Sequence, residues 1–429
     1  MEFIQFDNLL KTSRFFLLYF LIFPGLIQAD SPTDPFNQFN NSKSRLQIGS
    51  GYEFSSDAIT NNLAQSYFLA KFISSSIKDE VSKHAYPVNR FGADAGYSIS
   101  YSHKLDSFFH RSGFSWNAAF SDMNHLHGKF TRDAFELYFR GNAAYAGKTA
   151  EMGEFDFSLL HYQQIKIGMS KETKCQRRTY NYSIGLALNI GQKFQSIHSD
   201  RANLFTSEDA EYLDIDFDIA LRGSDSSKNK MGSMNGLGGS LFLGWSVRDE
   251  SKNEFEIQLS NLGIIQFNDH SYIVPADSVF RFEGIDATEL FDFSDTIRTA
   301  ISSDSSFVQG FLHRRKTESY QYNLPARLSL AYHRHLTEKD LVSIGLDQVF
   351  FSSYLPHGYG KYQHRFNEHH QLGLILGYGG YTVWQAGLCY NLKIGKSWLF
   401  QLESRNLSGW INTKSGRAQG AFVSLSKYL

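Results

Sequence analysis

The sequence predicts an all-β protein, a transmembrane antiparallel β-barrel of about 14–16 strands with one or two short helices in the N-terminal region and a loop. Three observations lead there. Apolar residues alternate with small or polar ones in segments of about ten residues, repeated from end to end of the chain. A segment with the marks of an export signal precedes them. Beyond it, no stretch reaches the roughly 18 to 20 continuous apolar residues of a membrane-crossing helix. A closed barrel needs no such run, because closure pairs every backbone N–H and C=O between neighbouring strands.

The export signal is expected over residues 1–29. Lys11 and Arg14 precede the apolar run Phe15 to Ile27, and Ala29 supplies a small residue at the cleavage point. Pro24 and Gly25 interrupt a run already short for a bilayer span. The rest of the chain, residues 30–429, is expected to form one barrel domain in the cell outer membrane.

Composition narrows the function classes. Aromatic residues make up 15% of the chain and proline only 7 residues, a balance that suits strands. A formal charge of −1 provides no field for phosphate backbones, so nucleic acid is excluded as a partner. Cys175 and Cys389 are too few for a disulfide scaffold, and their spacing matches no zinc site. No cofactor and no metal are predicted.

The alternation starts with Leu46, Ile48, Tyr52 and Phe54 against Gln47, Gly49, Gly51 and Glu53. Phe91 to Tyr101 continues it, with Gly92, Asp94, Gly96, Ser98 and Ser100 on the other face, followed by Phe114 to Phe120. Tyr182, Ile184, Leu186, Leu188 and Ile190 form one clear row, and Leu213 to Leu221 form another. Leu237 to Val247 and Phe255 to Leu259 come next. The C-terminal third adds Leu328 to Tyr332, Val342 to Leu346, Leu372 to Tyr378 and Trp384 to Ile394, divided by turn residues such as Gly379-Gly380 and Gly395-Lys396.

A soluble sandwich would show the same period. Aromatic residues near segment ends (Tyr97, Tyr101, Trp245, Tyr378, Trp384, Trp398, Trp410) favour the barrel, where they would form interface girdles. Ala421, Val423, Leu425 and Leu429 share a face of the last segment, as a strand closing against the first requires, with Lys427 interrupting the row.

Two segments leave the β rhythm. Phe68, Leu69, Phe72, Ile73, Ile77 and Val81 recur at helical spacing, so residues 62–84 are expected to form an amphipathic helix. Asp286 followed by Glu289, with Leu290, Phe293, Ile297 and Ile301 on one face, predicts a second helix over 286–302. Either could restrict a lumen.

Motifs for chemistry are scarce. Gly141 to Thr149 has one residue too many between its glycines for a phosphate loop and reads as a strand-ending turn. No nucleophile elbow, metalloprotease motif or calcium loop occurs. His333 with His335, and His369 with His370, lack a third ligand. The most informative polar feature is the ladder Asp214, Asp216 and Asp218, with Arg222 beyond it. These are the candidate lumen-facing residues, and the three carboxylates are expected to repel anions and raise one another's pKa. A solvated extension above the membrane would place them equally well.

The segments Phe135 to Lys148 (FELYFRGNAAYAGK), Asn89 to Gly92, Leu259 to Ile265 (LSNLGII) and Phe280 to Asp286 (FRFEGID) resemble an uncharacterised family of outer-membrane barrels from Bacteroidota. More distantly, the chain is similar to fatty-acid-transporter-like barrels. That resemblance implies a barrel carrying hydrophobic cargo or docking a secretion system, and transfers no catalytic residue. The expected function is therefore a non-enzymatic channel or transporter for a small or hydrophobic molecule. A structural or docking component of surface secretion is the alternative. A lipid-acting enzyme would need a serine and a histidine to meet, for which Ser98 and His103 are the probes. Expected partners are outer-membrane lipid and lipopolysaccharide, the barrel-insertion machinery and a secretion-system protein.

Overall fold

A computed structural model of the protein describes residues 42–153, 155–225, 232–282 and 314–429. The export signal and the helix expected over 286–302 lie outside the described residues. In chain order the first strands are β1 (Ser44–Ser56), β2 (Val88–Lys104), β3 (Phe114–Thr131), β4 (Lys148–Glu151), β5 (Asp156–Cys175), β6 (Arg178–Thr206) and β7 (Leu213–Gly223). Next come β8 (Gly236–Asp249), β9 (Glu254–Phe267), β10 (Tyr272–Phe282), β11 (Lys316–Thr317), β12 (Tyr320–Asn323) and β13 (Arg327–His335). The chain ends with β14 (Asp340–Val349), β15 (His357–Arg365), β16 (His370–Gly379), β17 (Trp384–Ile394), β18 (Trp398–Ser404) and β19 (Ala418–Tyr428).

Fourteen of these close into an antiparallel barrel. The ring runs β1, β2, β3, β5, β6, β8, β9, β13 and then in sequence to β19, which returns to β1. Closure leaves no open edge in the ring, and the final strand makes it: Ile48 lies opposite both Leu425 of β19 and Ile99 of β2. Lys427, the interruption in the last apolar row, lays its ammonium 5.2 Å from the Trp398 ring centroid, a cation–π contact at the rim.

One rim carries both described chain ends, with Ser44 and Leu429 exchanging backbone hydrogen bonds of 3.2 and 2.8 Å. Connections at this rim are short. Gln176 and Arg177 alone join β5 to β6, where Gln176 adopts a φ of 52°. The opposite, distal rim carries the long connections. Here the wall is also taller, because β6 continues past a bulge and pairs in its upper half with β7, which pairs with β10. The remaining short strands, β4, β11 and β12, pair within this taller region.

The expected helix over 62–84 is two helices, α1 (Asn61–Phe68) and α2 (Ser75–His84). Ala70 takes a φ of 51°, which breaks the first helix, and Ser74 holds the N-cap position of the second without a side-chain capping bond. Phe72, assigned to the apolar stripe, falls in the break and is 88% exposed. A third helix, α3 (Arg132–Arg140), follows β3; Thr131 Oγ1 caps it by accepting from the Ala134 N–H at 3.1 Å. Gly141, at a φ of 80°, ends this helix, so the glycine-rich motif follows a helix and not the strand that was expected. Leu63, Val81, Phe130 and Phe135 form one cluster that fastens α1, α2 and α3 to the distal end of β3. The fourth helix, α4 (Leu407–Ile411), lies between β18 and β19.

Candidate functional site

The two faces of the ring carry opposite chemistry. On β16, Leu372, Leu374, Leu376 and Tyr378 are exposed, while Gln371, Gly373, Ile375 and Gly377 are buried. On β6, Ile184, Leu186 and Leu188 are exposed while Gly185, Ala187 and Asn189 are buried. A water-soluble sheet buries its apolar row; here that row points outward around the ring, including Ile48 on β1, Ile167 on β5, Leu243 on β8, Ile344 on β14 and Leu425 on β19. Aromatic residues mark its lower edge: Tyr101 packs 5.4 Å from Trp116, and Trp245 packs 6.0 Å from Phe255. Tyr378 and Trp384, 4.9 Å apart, mark the distal edge. Trp410 lies off this girdle, on α4, with its ring edge-on to Tyr52.

The inward face has two parts. Beneath the tall wall, Met123, Leu160, Tyr162, Phe194, Ile265, Phe267, Tyr322 and Leu324 form a buried apolar cluster. Phe194 is its hub, with ring centroids of Phe267 at 4.5 Å, Tyr320 at 5.0 Å and Tyr322 at 6.0 Å.

The other part, beneath the shorter strands β13 to β19 with β1 and β2, is charged. Glu403 accepts from Lys361 Nζ at 2.8 Å and from Arg405 Nε at 3.0 Å. Glu53 accepts from Asn406 Nδ2 at 2.9 Å and lies 4.0 Å from Arg405. Asp347 accepts from Ser329 Oγ at 2.6 Å, with His357 at 3.7 Å. Asp94 lies 2.6 Å from His125 Nδ1. Lys361 and Glu403 stand on β15 and β18, so their bond spans the inner faces of β16 and β17. Lower in the lumen, Arg248 pairs with Glu254 at 2.9 Å and His333 with Glu256 at 3.3 Å. Ion pairs removed from water in this way keep their strength only while every partner is in place.

A cavity remains within the charged part. Gly51, Glu53, Asp94, Arg327, Arg405 and Phe422 border it, and it is small, with room for about one water molecule and an opening to solvent.

The aspartate ladder stands on β7, in the tall wall. Arg281 donates to both Asp214 oxygens at 2.7 and 2.9 Å, and Arg201 Nε donates to Asp216 at 2.6 Å. Arg201 also reaches Asp277 at 3.0 Å, the residue opposite Asp218 on β10. The expectation of mutually raised pKa values is overturned for Asp214, whose carboxyl is held below its ordinary value by the Arg281 hydrogen bonds. Arg222 places its guanidinium 5.4 Å from the Tyr320 ring centroid, on the side of the inward apolar cluster. The alternate row does not meet lipid as one exposed face either, since Phe217 is buried with Ala202 and Ala276 against Met152.

The histidines of each pair make different contacts. His333 enters the lumen, with Ser343 Oγ 2.8 Å from its Nδ1, while the His335 N–H donates to Asn253 Oδ1. His370 meets Tyr390 and His369 meets the Lys393 carbonyl. Ser98 and His103 do not meet: Ser98 lies opposite Gly49 and Ser121, whereas His103 Nδ1 is 2.8 Å from Ser44 Oγ. Of the charged residues that border the cavity, Glu53 and Asp94 stood out in the sequence, whereas Arg327 and Arg405 did not. The usable signal was a charge on the row opposite the apolar one, which is where Lys361 and Glu403 lie.

Residues 45–402 match the model of a family described as "Family of unknown function (DUF5723)". The chain belongs to DUF5723. No curated protein sequence matches this DUF5723 chain significantly. Among solved structures it is similar to a mutant of the TodX monoaromatic hydrocarbon channel, with 11% identity, a TM-score of 0.48, and coverage of 95% of this chain and 96% of that one. The toluene transporter TbuX of Ralstonia pickettii gives 8% identity and a TM-score of 0.44 over 95% and 96% of the two chains. A Pseudomonas aeruginosa FadL homologue gives 8% and 0.41 over 92% and 94%. At TM-scores below 0.5 these likenesses carry no functional weight, and the barrel is established by the strand pairings of the DUF5723 chain itself.

Proposed function

We propose that this DUF5723 protein is an integral barrel of the bacterial outer membrane whose lumen, closed at rest, opens to pass a small molecule. The observation that carries the membrane reading is the outward apolar row on a closed ring, edged by aromatic residues. An exposed belt of this kind costs free energy in water and gains it in hydrocarbon. Lipid and lipopolysaccharide would cover it, and the insertion machinery would engage the closing strand β19. The long connections would face outward from the cell and the short turns the periplasm.

The passage reading rests on the difference within the lumen. Charged groups linked by a few ion pairs can exchange partners, whereas a close-packed apolar cluster cannot do so without leaving voids. Cell fractionation tests the first claim: the protein should stay with washed outer membranes and migrate heat-modifiably on gels, and recovery in the soluble periplasm would refute it. Planar-bilayer recording tests the second. The wild type should show brief openings that lengthen when Glu403 is neutralised, and silent bilayers from both proteins would end the passage reading.

The filled lumen also favours a second reading, a docking component of surface secretion. In that case crosslinking in cells would capture a protein partner, and reconstituted liposomes would take up no solute.

A further inference from the structure

Two distal turns fold into the lumen instead of standing at the rim. Residues 350–356 join β14 to β15, and residues 380–383 join β16 to β17. The Leu355 N–H donates to the Gly380 carbonyl at 3.2 Å, and Tyr354 meets Tyr381 edge-on with ring centroids 5.0 Å apart, so the two turns form one body. Tyr381 and Thr382 are buried. Connections ordinarily keep to the surface, where water satisfies their backbone.

This body reaches the far wall. β15 stands seven strands from β3 in either direction round the ring of fourteen. Ser353 Oγ, in the turn before β15, nevertheless lies 3.4 Å from His127 Nδ1 on β3. Gly92 of β2, directly opposite His127, receives the Tyr381 ring: a Cβ placed on Gly92 would overlap ring atoms Cδ2, Cε2 and Cζ. Both contacts fall on one pair of neighbouring inward positions, and the missing side chain at Gly92 makes the notch.

A strap held in this way is easier to release than the apolar cluster. Phe194 packs against three rings, whereas the strap seats one ring in one notch. It also shelters polar groups. His357 Nε2 and Gln385 Oε1 are buried beside it with no protein hydrogen-bond partner among the described residues, and water admitted by an open strap would satisfy both. The turns carry backbone angles of the left-handed region, with Phe351 at a φ of 58° and Gly379 and Gly380 at 101° and 75°. A few such positions can absorb the dihedral change of a hinge. Asp347 near the end of β14 and His357 at the start of β15 flank residues 350–356, so the strap is rooted in the charged part.

We propose that residues 350–356 and 380–383 form a strap that shuts the distal mouth over the charged part of the lumen, latched where Tyr381 enters the notch at Gly92. Solute passes when the strap swings clear of β2 and β3. The inference rests on the passage reading and names its moving part.

Gly92→Ala should release the latch. The added methyl strikes the far end of the Tyr381 side chain, so the ring can move out while the wall keeps its register. Tyr381→Gly attacks the same latch from the other side. Two readouts follow each variant in the full chain. Ser353→Cys in a Cys175→Ser background, with Cys389 buried, reports the position of the strap by its rate of reaction with a membrane-impermeant maleimide in lipid nanodiscs. Planar-bilayer recording reports the opening. Either latch variant should speed the labelling about tenfold and raise the open probability by about the same factor. Heat-modifiable migration shows which variants fold, and either one alone is decisive. Unchanged labelling would overturn the proposal, as would faster labelling without more opening. A conducting wild type whose openings neither variant alters would lose the strap and keep the passage reading. Bilayers silent for every protein would end the passage reading and the strap's role with it.

Discussion

The two parts of the lumen are closed by different physics. Under the tall wall, Phe194, Phe267, Tyr322 and their neighbours exclude solvent by packing, an effect indifferent to salt. Under the shorter strands, Glu403, Lys361, Arg405 and Glu53 close the space by charge, with bonds that reach over intervening strands. The packed part behaves as a permanent plug. The charged part is where a change of partners can open a path, and the cavity bordered by Arg327 and Glu53 lies there and not among the aromatics.

The sharpest contrast should come from one truncation in each part. Phe194→Ala removes a fully buried ring that touches three other rings and should cost about 4 kcal/mol of unfolding free energy. Urea titration of the refolded barrel in lipid vesicles would measure it, and the loss should be the same at low and high salt. A loss under about 1 kcal/mol would mean that the cluster collapses around the void and is no rigid plug.

Glu403→Gln should cost somewhat less, about 3 kcal/mol, because it leaves Lys361 and Arg405 without their shared carboxylate. Unlike the packing variant, it should raise single-channel open time. If Phe194→Ala opened the channel and Glu403→Gln did not, the assignment of plug and gate would be reversed.

Moving from the inner face to the outer one changes the sign of what is tolerated. Leu374 on β16 is 57% exposed, and in a water-soluble protein Leu374→Lys would be nearly neutral. In a lipid-facing belt it should cost about 2 kcal/mol or more, depending on depth. Equal stability of this variant and the wild type in vesicles would remove the membrane reading altogether.

The same division of faces explains which parts of the architecture can be read from the sequence. β6, β16 and β17 are legible because large apolar residues dominate their outward rows. β5 is not, because His161 and Gln163 fall in its outward row, where they hydrogen-bond Asp122 of β3 at 2.8 and 2.9 Å. β15 is hidden for the opposite reason: Gly358 and Gly360 take the outward positions while Tyr359, Lys361 and Gln363 turn inward. The charged site is harder still. Glu53 and Asn406 are 353 positions apart, and only closure of the ring brings them together. The row each occupies could be inferred from alternation, but the partner could not. The aspartates of β7 were conspicuous for being consecutive on one face, and the arginines that neutralise them come from β6 and β10, whose register no local pattern reveals.

The smallest effect concerns the helical cap at the distal rim, which depends on neither kind of lumen closure. Asp57 follows β1 and accepts from the Arg90 N–H at 2.8 Å, and burial pushes its carboxyl up to about 6 from 3.8, outweighing the attraction of Arg90 and Arg417. A carboxyl whose pKa is raised on folding contributes stability below its unfolded value, and that contribution is lost as pH rises through the folded value. The cap should therefore be tightest near pH 4 and loosen by pH 7, and Asp57→Asn, which keeps the acceptor without the charge, should abolish the difference. Hydrogen exchange at Ala64, whose N–H bonds the Thr60 carbonyl at the start of α1, reports on it directly. Corrected for intrinsic rates, protection at pH 7 should be higher in the variant by about 1 kcal/mol, with the two proteins converging at pH 4. Identical protection at both pH values would show that Asp57 is ionised at no cost in the folded cap, through solvent access that its position between β1 and α1 does not suggest.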